Sequence, residues 1–103
     1  MSKGKFQSVL AAGELERIAT RFRMLGEPTR LRILQAVCRE PRTVNDIVSA
    51  AGSTQANVSK HLALLSASGM LTRVRDGQRV YYGIKDPLAV KLCELVRAQI
   101  TRQ

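Results

Sequence analysis

Side chains that can hydrogen-bond to nucleic acid are concentrated in one short stretch near the middle of the chain. They are Thr54, Gln55, Asn57, Ser59, Lys60 and His61. Glutamine and asparagine amides can form two hydrogen bonds to the edge of an adenine, whereas serine and threonine hydroxyls can bond to base edges or phosphates. A helix with such groups in its first two turns can enter the major groove of DNA by its N-terminal end. The stretch is therefore predicted to be a recognition helix.

The other side of the same stretch is apolar. Val58, Leu62 and Leu65 recur at i, i+4 and i+7, which is the spacing of a helix face that is buried. Gly69 follows where this helix should end. Residues 43–68 as a whole are predicted to form two short helices joined by a tight turn.

The residues at the boundaries of these two helices fit that interpretation. Thr43, with Asp46 three residues later, has the pattern of a capping box that starts the first helix. Gly52 can adopt the left-handed conformation that ends a helix, and either Ser53 or Thr54 can cap the next one. Two helices with a short glycine-containing turn are the signature of a helix-turn-helix, although an ordinary helical hairpin with a polar outer face would share it.

Composition and charge favour a polyanionic partner. The chain has 103 residues, which predicts one domain, and its formal net charge is +9. Aromatic residues make up 4% of the chain and tryptophan is absent, so the core should be aliphatic. No apolar run is long enough to span a membrane, and Glu14 and Glu16 interrupt the N-terminal apolar stretch too early for a secretory signal. A cytoplasmic location is expected.

Beyond Gly69 the apolar period changes from that of a helix to that of a strand. Residues 71–75 and 79–84 are predicted to form a hairpin, with Asp76-Gly77 at the centre of its two-residue turn. Such a hairpin could lie along the DNA backbone and donate hydrogen bonds to phosphates, or it could simply cover an edge of the core. The candidate DNA contacts in this wing are Arg73, Arg75, Gln78, Arg79 and Tyr81.

Helices are predicted on both sides of these elements. Residues 1–6 form a basic arm that is expected to be mobile, and amphipathic helices are expected over 7–25, over 28–39 and over 87–101. The last helix is apolar on two neighbouring faces, of which one would suffice to pack on its own domain and the second suggests burial against another subunit. We therefore predict a two-fold homodimer through the first and last helices, which would present two recognition helices about one DNA turn (~34 Å) apart.

Three blocks of the sequence, in this order and spacing, resemble the ArsR/SmtB family of bacterial winged helix-turn-helix repressors. They are RMLGEPTRLRIL, STQANVSKHLALLSASGML and TRVRDGQRVYYGIKDP, and the resemblance runs from Ile18 to Ile100. It implies a mostly α fold of order α-α-α-α-β-β-α with a β-hairpin wing. It also implies a homodimer that represses an operator on double-stranded DNA and releases it when an inducer is sensed.

The metal sites of that family do not carry over to this sequence. The arsenic-type site uses a Cys-x-Cys pair in the first helix of the motif, where residues 43–47 contain no thiol. The zinc-type site uses Asp, His and Glu on the last helix, which here offers Glu94 as its mid-helix carboxylate and no histidine. His61 is expected to face DNA or to contribute to packing. We expect no metal and no cofactor.

Cys38 and Cys93 fall on the two helices on which some members of the family carry redox-sensing cysteines, although their exact positions are displaced. They could form a thiol switch, through oxidation or persulfidation. They could instead be inert core residues, because free cysteine is among the most buried residue types. The chain would then be a winged-helix module that binds DNA or protein without sensing a signal. An enzyme is not expected, since there is no Cys-x-x-Cys motif and no nucleophile–base constellation.

Overall fold

The computed structural model describes residues 11–102, which form five helices and three short strands. In chain order the elements are α1 (Glu14–Leu25), α2 (Pro28–Val37), β1 (Arg42–Thr43), α3 (Val44–Ala51), α4 (Gln55–Ala67), β2 (Leu71–Asp76), β3 (Arg79–Ile84) and α5 (Leu88–Thr101). The predicted fold class, mostly helical with a β-hairpin wing, is confirmed. No helix within these residues is long and apolar enough to cross a membrane.

The helix-turn-helix is formed by α3 and α4, with the predicted caps. The Thr43 hydroxyl accepts a hydrogen bond from the Asp46 amide at 3.3 Å, and the Thr54 hydroxyl accepts one from the Asn57 amide at 3.1 Å. Gly52 has a φ of 64°, the left-handed conformation that lets α3 end abruptly. Because each helix starts at its own cap, the sequence determines the length of the turn between them.

The core is aliphatic, as predicted, and it lies among α2, α3 and α4, with β2 packed against α4. Its largest fully buried side chains are Ile33, Val37, Ile47, Val58, Leu62 and Leu65. Since the buried face of α4 provides three of these six, the recognition helix is held firmly by its own domain.

The strand β1 was not predicted. It pairs with β3 so that Arg42 lies opposite Tyr82, which gives an antiparallel sheet of order β1-β3-β2. The Arg42 side chain donates a hydrogen bond from Nε to the Ala36 carbonyl at 2.8 Å. At Gly83 of β3, an added Cβ would lie 3.3 Å from Pro41 Cγ, so glycine allows Pro41 to approach closely.

The wing turn is displaced by one residue from its predicted position. Asp76 pairs with Arg79, so the two turn residues are Gly77 and Gln78 and not Asp76 and Gly77. Gly77 has a φ of 65°, and a type II′ hairpin turn requires such a positive φ at its first central position.

The outer helices are shorter than predicted. Helix α1 begins at Glu14, because residues 11–13 form a turn in which Gly13 has a φ of 86°. The predicted arm over 1–6 and the rest of the predicted helical start, 7–10, lie outside the described residues. Helix α2 ends at Val37, two residues before the predicted end. Helix α5 begins at Leu88, whose amide donates to Asp86 Oδ1 at 3.0 Å.

Candidate nucleic-acid interface

Four of the predicted recognition residues lie on one open face of α4 and its N-cap. Thr54, Gln55, Ser59 and Lys60 are all exposed. Val58 and Leu62, on the other side of the helix, are 0% and 1% exposed. The helix therefore presents hydroxyl, amide and ammonium groups at its N-terminal end, where major-groove readers place their base-contacting residues.

Asn57 is engaged in the turn that precedes the helix. Its amide nitrogen Nδ2 donates to Ser53 Oγ at 2.9 Å, and its side chain is half-buried. The bond fixes the shape of the turn and uses one of the donors that base recognition would require. Asn57 is thus less available for a base contact than Gln55.

The prediction that His61 belongs to the DNA-facing surface is wrong. His61 is 5% exposed, and its Nδ1 accepts a hydrogen bond from Arg30 Nε at 3.0 Å. The physical reason is helical spacing, since position 61 follows Val58 by three residues and precedes Leu65 by four. This periodicity was visible in the sequence, and it would have placed His61 on the buried face.

The wing residues divide between the two faces of the hairpin. Arg73 lies opposite Tyr82 and Arg75 opposite Val80 on one face, because side chains alternate along a strand. Arg79 and Tyr81 lie on the other face. The predicted wing contacts are thus divided between two faces of the hairpin.

Local hydrogen bonds orient two of these arginines. Arg73 Nε donates to the Tyr82 hydroxyl at 3.2 Å, and Arg75 Nε donates to the Gly77 carbonyl at 3.1 Å. Both arginines are exposed residues. Sequence reasoning missed the part played by Tyr82, which follows from the cross-strand register and not from any motif.

Gln78 and Arg79 at the wing tip line a polar groove against the first turn of α3. The other residues that line it are Thr43, Val44, Asn45, Asp46 and Val80. The wing tip therefore adjoins the helix-turn-helix, and both can face the same ligand surface.

Cys38 and Cys93 line a common groove between the C-terminal end of α2 and the middle of α5. Arg39, Glu94 and Arg97 line it as well. Both thiols are free; Cys38 is exposed and Cys93 is half-buried. In a single chain neither cysteine is a core residue, so that part of the inert interpretation is wrong.

No group of three or more His, Cys, Asp or Glu side chains that could hold a metal ion is found within residues 11–102.

The fold and its exposed helix define a class of protein. A helix-turn-helix with an open recognition helix, followed by a β-hairpin and a C-terminal helix, is the winged helix-turn-helix of DNA-binding regulators. Residues 27–73 match a protein family that is described as "bacterial regulatory protein, arsR family". The chain belongs to the arsR family, whose members are transcriptional regulators and not enzymes.

Named relatives agree with this assignment. The chain is 41% identical over 76 residues to a protein named probable mercury resistance operon repressor from Streptomyces lividans, a match that covers 74% of this chain and 61% of that protein. It is 30% identical over 82 residues to the uncharacterized HTH-type transcriptional regulator Rv0081 of Mycobacterium tuberculosis, covering 79% of this chain and 72% of that protein.

A solved structure shares the whole architecture. The homodimeric winged helix-turn-helix DNA-binding domain Mb0332 from Mycobacterium bovis superimposes with a TM-score of 0.78 at 28% identity, over 93% of this chain and 89% of that one. The similarity includes the outer helices, which lie beyond the segment that matches the family description.

Proposed function

We propose that this chain is a repressor of transcription that binds double-stranded operator DNA as a homodimer in the bacterial cytoplasm. The observation that carries the proposal is the two-sided recognition helix α4. Its apolar side is sealed in the core, while Thr54, Gln55, Ser59 and Lys60 stand open at its N-terminal end. The arsR family and its named repressors support the same role.

In this proposal each exposed group has a distinct task. The Gln55 amide can pair with a base edge in the major groove, and the Thr54 and Ser59 hydroxyls can bond to bases or phosphates. Lys60 and the wing arginines supply charge for the phosphate backbone. Such contacts fix the orientation of the protein on DNA without reading sequence. Because the net charge is +9, affinity should fall steeply with salt.

A second copy of the chain is the proposed partner of α1 and α5. Phe22 of α1 is 60% exposed, while Leu95, Val96 and Ile100 of α5 are 67%, 55% and 59% exposed. Residues of both helices line one apolar groove. Contiguous exposed apolar surface of this kind marks an interaction site, and the homodimer of Mb0332 supports a self-association.

Release of the operator by an inducer is the finer part of the proposal, with Cys38 and Cys93 as the sensing groups. Both thiols line the groove between α2 and α5, beside Arg39 and Arg97. Peroxide would oxidise the two thiols to a disulfide and be reduced to water, which requires their Cα atoms to come within about 7 Å. The bridge would tie α5 to α2 and change how the dimer presents its recognition helices.

A mobility-shift assay on the DNA upstream of the chain's own gene tests both parts. The wild type, Cys38→Ser and Cys93→Ser are compared when reduced and after treatment with peroxide or polysulfide. We expect all three reduced proteins to bind and only the oxidised wild type to release the DNA. If binding is identical in every lane, the protein binds DNA constitutively and its cysteines are inert. An absence of binding to that DNA and to promoter libraries would contradict the repressor itself.

A further inference from the structure

The recognition helix carries one buried ionisable side chain that the proposed DNA contacts do not use. His61 is the only histidine of the chain, and it lies on the core side of α4 with 5% exposure. Its Nδ1 accepts from Arg30 Nε at 3.0 Å, and its Nε2 lies 3.9 Å from Glu27 Oε1. Within residues 11–102 this is the only side-chain hydrogen bond from α4 to another helix. The remaining packing of α4 against the core is apolar.

Arg30 connects this histidine to the end of α1. Besides His61, its guanidinium donates from Nη1 to the Arg23 carbonyl at 3.3 Å, and the same nitrogen lies 3.5 Å from Met24 Sδ. The amide of Arg30 donates to Glu27 Oε1 at 2.9 Å, which caps α2. One side chain on α2 therefore joins the last turn of α1 to the second turn of the recognition helix.

The geometry selects one chemical form of His61. Arg30 Nε carries a hydrogen, so Nδ1 can accept from it only while Nδ1 has a free lone pair. The imidazole must then be neutral with its hydrogen on Nε2, directed towards the Glu27 carboxylate. A proton added at Nδ1 would place two N–H groups against each other and break the link to Arg30. Arg30 and Glu27 are the charged side chains that contact His61.

We propose that Arg30 and His61 are positioning residues that couple the dimerisation helix α1 to the recognition helix α4. The inference rests on the proposed function, because it concerns how two α4 helices are held for one operator. Apolar packing is not directional, so the buried face of α4 holds the helix in the core without a hydrogen bond that sets its rotation. The hydrogen-bonded chain from the Arg23 carbonyl through Arg30 to His61 supplies such a directional contact between α1 and α4.

The first test needs no DNA. In protein labelled with ¹⁵N at histidine, the two imidazole nitrogens report the tautomer directly. We expect Nε2 to be protonated and Nδ1 to be unprotonated at neutral pH, and Arg30→Gln to abolish this preference. A hydrogen on Nδ1 in the wild type would overturn the link, whatever the protein does with its operator.

The second test measures affinity for the operator. Arg30→Gln removes the bridge, and Arg32→Gln is the matched control because Arg32 is an exposed residue of the same helix and loses the same charge. His61→Leu removes the acceptor but suits the aliphatic surroundings, while His61→Asn keeps an acceptor close to the position of Nδ1. We expect Arg30→Gln and His61→Leu to weaken binding about tenfold. His61→Asn should recover most of the loss, and the control should lose much less.

Half-site spacing separates positioning from simple stability. On operators whose half-sites are moved apart or together by one base pair, the wild type should discriminate strongly, whereas Arg30→Gln and His61→Leu should discriminate poorly. Thermal melts identify any variant that is unfolded at the assay temperature, and the comparison then uses whichever of Arg30→Gln and His61→Leu is folded, with His61→Asn expected to keep the wild-type discrimination. The inference would be overturned if folded variants distinguished the half-site spacings as strongly as the wild type does.

The electrostatics of Glu27 fit the same arrangement. The hydrogen bond from the Arg30 amide lowers the pKa of Glu27 below its ordinary value of 4.5, so the carboxylate that lies beside His61 Nε2 is charged at neutral pH. Failure of the wild type to bind any DNA would overturn the proposed function and this role together, whereas normal wild-type binding with unaffected variants would overturn this role alone.

Discussion

The recognition helix α4 and the C-terminal helix α5 have nearly the same length, but their apolar side chains lie in different places. Helix α4 has 13 residues and buries Val58, Leu62 and Leu65 to 1% exposure or less. Helix α5 has 14 residues, of which only Ala89 is buried, while Leu95 remains 67% exposed. Within residues 11–102, the apolar side of α4 is covered by the core, whereas the apolar side chains of α5 remain largely exposed.

This difference separates two kinds of stability. Burying a leucine or isoleucine side chain contributes about 1.5–3 kcal/mol relative to leaving it in water. For α4 that contribution already belongs to the folding of one chain. In the proposed homodimer, α5 gains this contribution when a second copy covers its exposed surface, so there it adds to dimerisation. Substitutions in the two helices should therefore change different measurable quantities.

The largest effect is expected in the core face of α4. Leu62→Ala should lower the free energy of unfolding by ~2–5 kcal/mol, because it removes buried methyl groups and leaves a cavity. Denaturant unfolding measures the loss. Leu64→Ala is the matched control, since Leu64 is 36% exposed and Leu62 is 1% exposed. Equal losses for the two variants would contradict the orientation of the helix.

A charge placed on the open face of α5 should act on the dimer instead. Ile100→Glu should raise the dimer dissociation constant about a hundredfold, equivalent to ~2.8 kcal/mol, because a carboxylate would be buried at the interface. Sedimentation equilibrium over a range of concentrations measures it. Gln99→Glu introduces the same charge at an exposed neighbour and should change the constant little. If Ile100→Glu leaves the dimer dissociation constant unchanged, the interface lies elsewhere.

On the exposed face of α4 the effect should be one of sequence preference. Gln55→Ala should reduce discrimination at one operator position by about 1–3 kcal/mol, because the amide can no longer pair with a base edge. Competition binding with single-base operator variants measures it, and the unfolding free energy should stay near that of the wild type. If Gln55→Ala keeps the wild-type base preference at every operator position, the assignment of Gln55 to the major groove is refuted.

The smallest effect is expected at the wing tip. Arg79→Ala should weaken binding to all sequences similarly and reduce the log–log salt slope by about 0.9, the value for one phosphate contact. Binding titrations at several salt concentrations measure the slope. Arg75→Ala, on the other face of the hairpin, is the comparison that shows which of the two faces meets the DNA. A loss confined to one operator sequence would argue for base reading by the wing.

Local chemistry made much of this molecule predictable. Thr43, Gly52 and Thr54 determine helix ends through their own side chains or backbone freedom, so their roles could be read without knowledge of the fold. The apolar periodicity of α4 identified its buried face for the same reason. The open face with Gln55 and Lys60 followed directly from it.

The features that escaped prediction depend on contacts between distant parts of the chain. Strand β1 exists because residues 42–43 pair with β3, and a two-residue strand has no periodicity to detect. The partition of the wing arginines depends on which strand residues are paired, and the predicted turn was one residue out of register. The burial of His61 was within reach of the periodicity, but its partner Arg30 lies 31 residues away and could not be inferred.

The most direct test of the account is a hydroxyl-radical footprint of the reduced protein on the DNA upstream of its own gene, combined with a measurement of stoichiometry. We predict two chains per site and two protected patches centred about one helical turn (~34 Å) apart on a near-palindromic sequence. Both patches should weaken together in Ile100→Glu, because the dimer holds the two recognition helices. A single protected patch with one bound chain would contradict the dimeric arrangement, and no protection at any concentration would contradict operator binding itself.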